Sequence, residues 1–181
     1  MKKFAVLALI LSLALVLPAF AEAPEVVRID WTDESEQVFA DAGFSGTWYA
    51  LEDIGCQIII PDEYAQREVT EAEAANHAAF IFENPENGGE IAVLDTVLDG
   101  ADDLVSLGAL LAAQDPEAPV QYAVINGRPA IITGDGERDT ADAIFDLGGR
   151  RFIRIMLSPF SQSNPLLSAC IASIQFQDDF D

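Results

Sequence analysis

Basic residues are nearly missing from this chain. Its 181 residues hold 9 lysines and arginines and 1 histidine against 31 aspartates and glutamates, a formal net charge of −22. The two lysines, Lys2 and Lys3, both stand at the extreme N-terminus. A field of this sign repels phosphate, which argues against nucleic acid and anionic lipid as partners. With His77 as the single histidine, a zinc site would need carboxylates and cysteines from separate elements. Ser-His-Asp and Cys-His hydrolase chemistry is short of a base for the same reason, and no serine lies in a GxSxG elbow. Cys56 and Cys170 form no CxxC pair, which removes the thioredoxin-like motif. No cofactor is expected.

Long apolar runs are also scarce, with one exception. The segment MKKFAVLALILSLALVLPAFA starts with Lys2 and Lys3, stays apolar from Phe4 to Leu17, breaks at Pro18 and closes on Ala19, Phe20 and Ala21. That is the order of a secretory signal peptide, and the run is shorter than the roughly 20 residues of a membrane-spanning helix. The reading is a signal peptide over 1–21, cleaved after Ala21, a short lead-in over 22–30, and one domain over 31–181. Cleavage takes both lysines, so 7 arginines face 31 acids, a net charge of 7 − 31 = −24. The expected product is a secreted, extracytoplasmic protein with no membrane span.

Half of the chain's residues are apolar, enough for a real core in the domain. Thr32 can cap a helix through DESEQVFADA that stops at Gly43. GTWYALEDIGCQIIIP reads as two strands, 46–51 and 55–60. Thr70 and Glu73 have capping-box spacing for a short helix. HAAFIFE and EIAVLDTVL flank NPENGG as a hairpin. In DDLVSLGALLAAQ, Leu104, Leu107, Gly108 and Leu111 share one helical face, with Asp102 and Asp103 in the first turn. Asn126 and Gly127 in VQYAVINGRPAIIT mark a type I′ turn. Strands over 141–147 and 150–157 follow, joined by Gly148 and Gly149. Asn164, Pro165 and the stripe Leu167, Cys170, Ile171, Ile174 make a final helix. Hairpin-linked strands under striped helices give an α+β fold, a mostly antiparallel sheet in an α/β/α sandwich.

The strand ending IIIPDEY, the hairpin INGRPAII, the pair GGRRFIRIML and the helix ACIASIQF occur in an order that resembles the PsbP-like fold. That fold occurs in extrinsic photosystem proteins and in many bacterial exported proteins, and the resemblance spans residues 44 to 176. It implies an adaptor or binding role rather than catalysis, and it carries over no functional residue.

Four groups of residues offer chemistry. Cys56 and Cys170, even in number in an exported chain, are a disulfide candidate if the last helix crosses the Cys56 strand; the alternative is two buried thiols. Arg150, Phe152 and Arg154 fall on one strand face and offer a binding site for an acidic ligand; pairing with neighbouring carboxylates is the alternative. Asp135, Glu137, Asp139 and Asp146 have the spacing of a calcium loop without its central glycine; an acidic hairpin tip is the alternative. Trp48 and Tyr49 offer a stacking surface for a sugar or peptide, or simply core. The expectation is an exported, acidic, non-enzymatic binding or accessory module whose partner is an extracellular protein or a small ligand. An extracellular hydrolase acting through dispersed carboxylates is the alternative.

Overall fold

The computed structural model describes residues 26–135, 139–159 and 165–177. The expected leader over 1–21, its cleavage site and the Asn164 cap lie outside them.

Local sequence signals set the element boundaries. Thr32 stays extended at φ −131°, and its hydroxyl accepts from the Ser35 N–H while Ser35 reaches back to the Thr32 N–H. That reciprocal cap starts α1 (Asp33–Asp41), and Gly43 ends the turn at φ 81°. Thr70 and Glu73 close the same box on α2 (Glu71–Ala75). α3 (Leu104–Gln114) begins two residues later than its sequence indicates. Asp103 is its cap, accepting from the Ser106 N–H at 2.8 Å, so neither Asp102 nor Asp103 lies in the first turn. α4 (Pro165–Ser173) starts on the expected proline.

Eight strands form the main sheet: β1 (Val27–Ile29), β4 (Ala65–Arg67), β5 (Ala78–Glu83), β6 (Glu90–Val97), β7 (Val120–Ile125), β8 (Arg128–Asp135), β9 (Thr140–Asp146) and β10 (Arg151–Ser158). Their order is β1-β7-β8-β9-β10-β6-β5-β4. Every pairing is antiparallel except β1 on β7. The turn between β7 and β8 has Asn126 at φ 49° and Gly127 at φ 83°, the left-handed pair its sequence calls for. The lead-in is therefore not mere preamble, since its residues 27–29 edge the sheet.

The hairpin of β2 (Gly46–Leu51) and β3 (Cys56–Pro61) stands apart. With the short β11 (Gln175–Phe176) it makes a second sheet, ordered β11-β3-β2. β3 buries both of its faces, as the unbroken Ile58, Ile59, Ile60 run requires. Ile58 and Ile60 join Phe82, Val93, Phe145, Ile153 and Ile155 of the main sheet, and Ile171 and Ile174 of the α4 region, in the largest core. Ile59 points the other way, to Phe39 of α1 and Ala169 of α4. On the opposite face of the main sheet, Leu104 and Leu107 of α3 cover Ile131, Ile144 and Phe152. A side chain at Gly108 would overlap the Tyr122 ring and hydroxyl, so the glycine lets α3 settle onto β7. The fold is a sheet-dominated α+β domain. The small sheet, which hairpin signals alone cannot separate from the large one, supplies part of the cover on one face.

Candidate functional site

The three clustered arginines do not form an open anion site. β10 begins at Arg151, so Arg150 lies in the loop before it, held at φ 68°. Its guanidinium donates to Asp99 and to the Leu98 carbonyl. Phe152 is 0% exposed, packed beneath α3. Arg154 makes a bidentate pair with Asp142, at 2.9 and 2.7 Å. Asp142 is 4% exposed, and its hydrogen bonds hold the Arg154 pKa above its ordinary value. Arg151, on the opposite face, grips Asp95 in the same two-pronged way at 2.8 and 2.6 Å. Strand alternation does put Phe152 and Arg154 on one face, but α3 occupies the Phe152 end and Asp142 satisfies the arginine.

A larger ionic group escapes the sequence pattern. Arg67 on β4 pairs with Glu73 of α2, Glu83 of β5 and Glu90 of β6, at 2.7, 3.0 and 2.9 Å. The hydrogen bond from Arg67, backed by the Thr70 cap, lowers the Glu73 pKa from 4.5 to about 2. One cation thus fastens the edge strand, a hairpin and the short helix. The capping box at Thr70 is its one sequence trace.

Cys56 and Cys170 are both buried thiols, and no disulfide joins them among the described residues. α4 does pack along β3, as a bridge would need. Phe176 lies opposite Cys56, and the Ser173 hydroxyl accepts the Ile59 N–H at 3.0 Å while donating to the Cys170 carbonyl at 3.0 Å, so the last turn of α4 lies against the middle of β3. Both thiols belong to the largest core cluster. Burial pushes the Cys56 thiol up to about 12 and raises Cys170 as well, so neither is poised as a nucleophile.

The calcium spacing is pulled straight by β9. Asp139 precedes that strand and Asp146 ends it, which puts them about 20 Å apart, too far to share an ion. Asp146 instead accepts from the Gly148 N–H at 2.7 Å. Glu137 lies outside the described residues. Among those described, no group of three His, Cys, Asp or Glu side chains is placed to hold a metal ion. His77 is exposed at φ 68°, where its carbonyl accepts from Asp95 at the head of β5.

Trp48 and Tyr49 point to opposite sides of β2. Tyr49 lies edge-on to Phe82, with ring centres 5.0 Å apart, and packs, partly buried, against the largest core. Trp48 is half-buried against the cluster beneath α1, and its indole N–H donates to Glu36 at 3.0 Å. They form no joint stacking surface. The strand that carries them is nonetheless the outer strand of the small sheet, with β3 as its one strand partner among the described residues.

No protein-family model matches the chain, and no curated protein matches its sequence. Its fold is found in solved structures. It is similar to cyanobacterial PsbP from Synechocystis sp. PCC 6803, with a TM-score of 0.53 at 13% identity over 73% of this chain and 92% of that one. A protein of Bacteroides thetaiotaomicron VPI-5482 is similar at a TM-score of 0.50 and 12% identity, covering 75% of this chain and 50% of its own. The Ran-binding protein Mog1p of Saccharomyces cerevisiae gives 0.43 at 10% identity, over 74% and 96%. The relationship that these comparisons establish is one of fold, and that fold is PsbP-like.

Proposed function

We propose that the chain is exported, with residues 1–21 removed, and serves outside the cytoplasmic membrane as an acidic, non-enzymatic binding or accessory module. The observation that carries this reading is how the ionic side chains are spent. Arg67, Arg150, Arg151 and Arg154 are each locked to carboxylates that belong to neighbouring strands, loops or helices of the same scaffold. Such pairs hold a framework together. The PsbP-like fold supports the reading, as does the leader, and the layers fit an α/β/α sandwich in which a small sheet assists the helices. The partner on this reading is an extracellular protein or a small ligand.

Two measurements test it. N-terminal sequencing of the protein from an expressing cell should begin at Glu22; a chain beginning at Met1 in the extracytoplasmic fraction would count against cleavage. Residues 22–181, immobilised and exposed to the exported fraction of the source cell, should retain a partner that a charge-matched acidic protein does not. Retention no better than the control would overturn the module reading.

A further inference from the structure

Among the described residues the backbone of β2 is paired on one side only, and the hydrogen-bond phase of the hairpin identifies which residues line the other. In an antiparallel pair, a residue turns both its N–H and its C=O either toward the partner strand or away from it, and the choice alternates along the chain. The Asp62 N–H donates to the Ser45 carbonyl at 3.2 Å, so the Ser45–Asp62 pair faces inward. By alternation, so do Thr47–Ile60, Tyr49–Ile58 and Leu51–Cys56. The other set faces outward, and on β3 this is seen directly: the Ile59 N–H points away from β2 to the Ser173 hydroxyl, and Gln57 pairs with Gln175 of β11. Their partners Trp48 and Ala50, with Gly46, therefore turn their N–H and C=O groups to the open side of β2. Among the described residues, none of these groups meets a turn, loop or side-chain partner.

An edge of this kind is normally blunted by lysine, proline, a bulge or extreme shortness. The segment GTWYAL has no charge and no proline, its register with β3 is unbroken over all 6 residues, and Gly46, Thr47 and Ala50 are exposed. Acids flank it, and the one cation seen there among the described residues, Arg151 at the Asp53 carbonyl, is already paired with Asp95. Glu36 is bonded to Trp48, Asp62 is bonded to Thr47, and Glu52 and Asp53 follow the strand; all four are exposed. A second copy, bringing the same acids and a net charge of −22, would be repelled from this edge.

We propose that the outer edge of β2 takes up an extended, arginine- or lysine-rich segment of another protein as an added strand. This inference rests on the binding-module reading and names its surface and the chemistry of its partner. Main-chain hydrogen bonds to Gly46, Trp48 and Ala50 hold the segment, and the flanking carboxylates select basic side chains at its alternate positions. Exposed Gly46 and Ala50 leave room beside Trp48 for those side chains.

The test uses the full domain and two peptides of equal charge, one alternating arginine with valine, the other alternating arginine with proline, which cannot form a ladder. The valine peptide should bind about tenfold tighter or more. Amide exchange at Trp48 and Ala50 should be fast without peptide and slow about tenfold or more with it. In Ala50→Pro the substitution deletes one outward N–H that none of the described residues accepts, and it should reduce binding of the valine peptide to the level of the proline peptide. Equal binding of the two peptides, or unchanged exchange at Trp48 and Ala50 on saturation, would overturn the proposal. The exchange measurement needs no variant, so a misfolded Ala50→Pro protein leaves the test intact. Self-association of the wild-type domain that Ala50→Pro abolishes would assign the edge to a second copy and overturn the basic partner. A cellular partner retained equally by wild type and Ala50→Pro would remove the edge as the site while leaving the binding module standing.

Discussion

The side-chain amide of Asn126 holds the backbone of Ile174 across 48 residues of sequence, donating to its carbonyl at 2.6 Å. The same amide donates to the Ala172 carbonyl at 2.9 Å, and its oxygen accepts the Trp31 N–H. The Asn126 N–H itself donates to the Ile29 carbonyl. A residue whose turn conformation explains its presence thus also ties β1, the end of α4 and the β7–β8 hairpin to one another.

Replacing it separates the two roles. Asn126→Gly keeps the left-handed turn but removes three side-chain hydrogen bonds, leaving part-buried backbone groups without partners. The expected loss is about 2–3 kcal/mol in denaturant unfolding. A loss under about 0.5 kcal/mol would show that water replaces the amide.

Arg154 and Asp142 test framework pairing against ligand binding. Arg154→Met strands a carboxylate that is 6% exposed, and the expected cost is about 2 kcal/mol. That is below the 3–5 kcal/mol typical of a fully buried pair, because the Arg154 side chain is 42% exposed. Arg154→Met with Asp142→Leu should recover most of it. An additive double mutant would mean the two side chains do not depend on each other.

The Glu73 pairing predicts a pH signature. Its pKa falls from 4.5 unfolded to about 2 folded, so its contribution is complete above pH 4.5 and lost as pH falls toward 2. The melting temperature of wild type should exceed that of Glu73→Gln at neutral pH, and the gap should close over that window. The comparison cancels the relief of repulsion that all the other acids share. A gap that persists at pH 2 would assign the stabilisation to packing.

The cysteines give a simple chemical assay. In the native, unreduced protein both should resist a water-soluble thiol reagent at pH 8, since burial holds Cys56 near 12 and Cys170 higher than usual. After denaturation without reductant both should react. Absence of any thiol at that point would establish a disulfide and contradict the two unbridged thiols of the structure.

Gly108 inverts the usual helix rule. Alanine improves helix propensity by about 1 kcal/mol over glycine, yet Gly108→Ala should destabilise by about 1–2 kcal/mol because the methyl meets Tyr122. In a Tyr122→Ala background the same change should stabilise. If it destabilises equally in both backgrounds, the close approach is not to Tyr122.

Much of the fold is written in local signals. The Thr32 and Thr70 caps, the Asn126–Gly127 turn and the stripe of Leu104, Leu107 and Gly108 each require only nearby residues, and each stands where its pattern puts it. What escapes reading depends on distant partners. β4 and β11 are short, and polar or mixed, and become strands only because β5 and β3 pair with them. Arg67 gathers acids from three elements, and nothing in EYAQREV announces it. The Arg150, Phe152, Arg154 face fails as a site because α3, distant in sequence, lands on it. The outward set of β2 needs its phase, and the Ser45–Asp62 and Ile59–Ser173 bonds fix that phase from outside the strand.

Because the Asn126 amide joins residues near 30 to residues near 173, the molecule is closed by a knot of contacts between its beginning and its end. Among the described residues β1 has no strand neighbour until β7 exists, and the Asn126 amide has no carbonyl to donate to until Ala172 and Ile174 follow. A chain that stops short of Ala172 therefore keeps β1 paired with β7 but leaves the Asn126 amide without both of its carbonyl acceptors, so the tie between that hairpin and α4 is the late step.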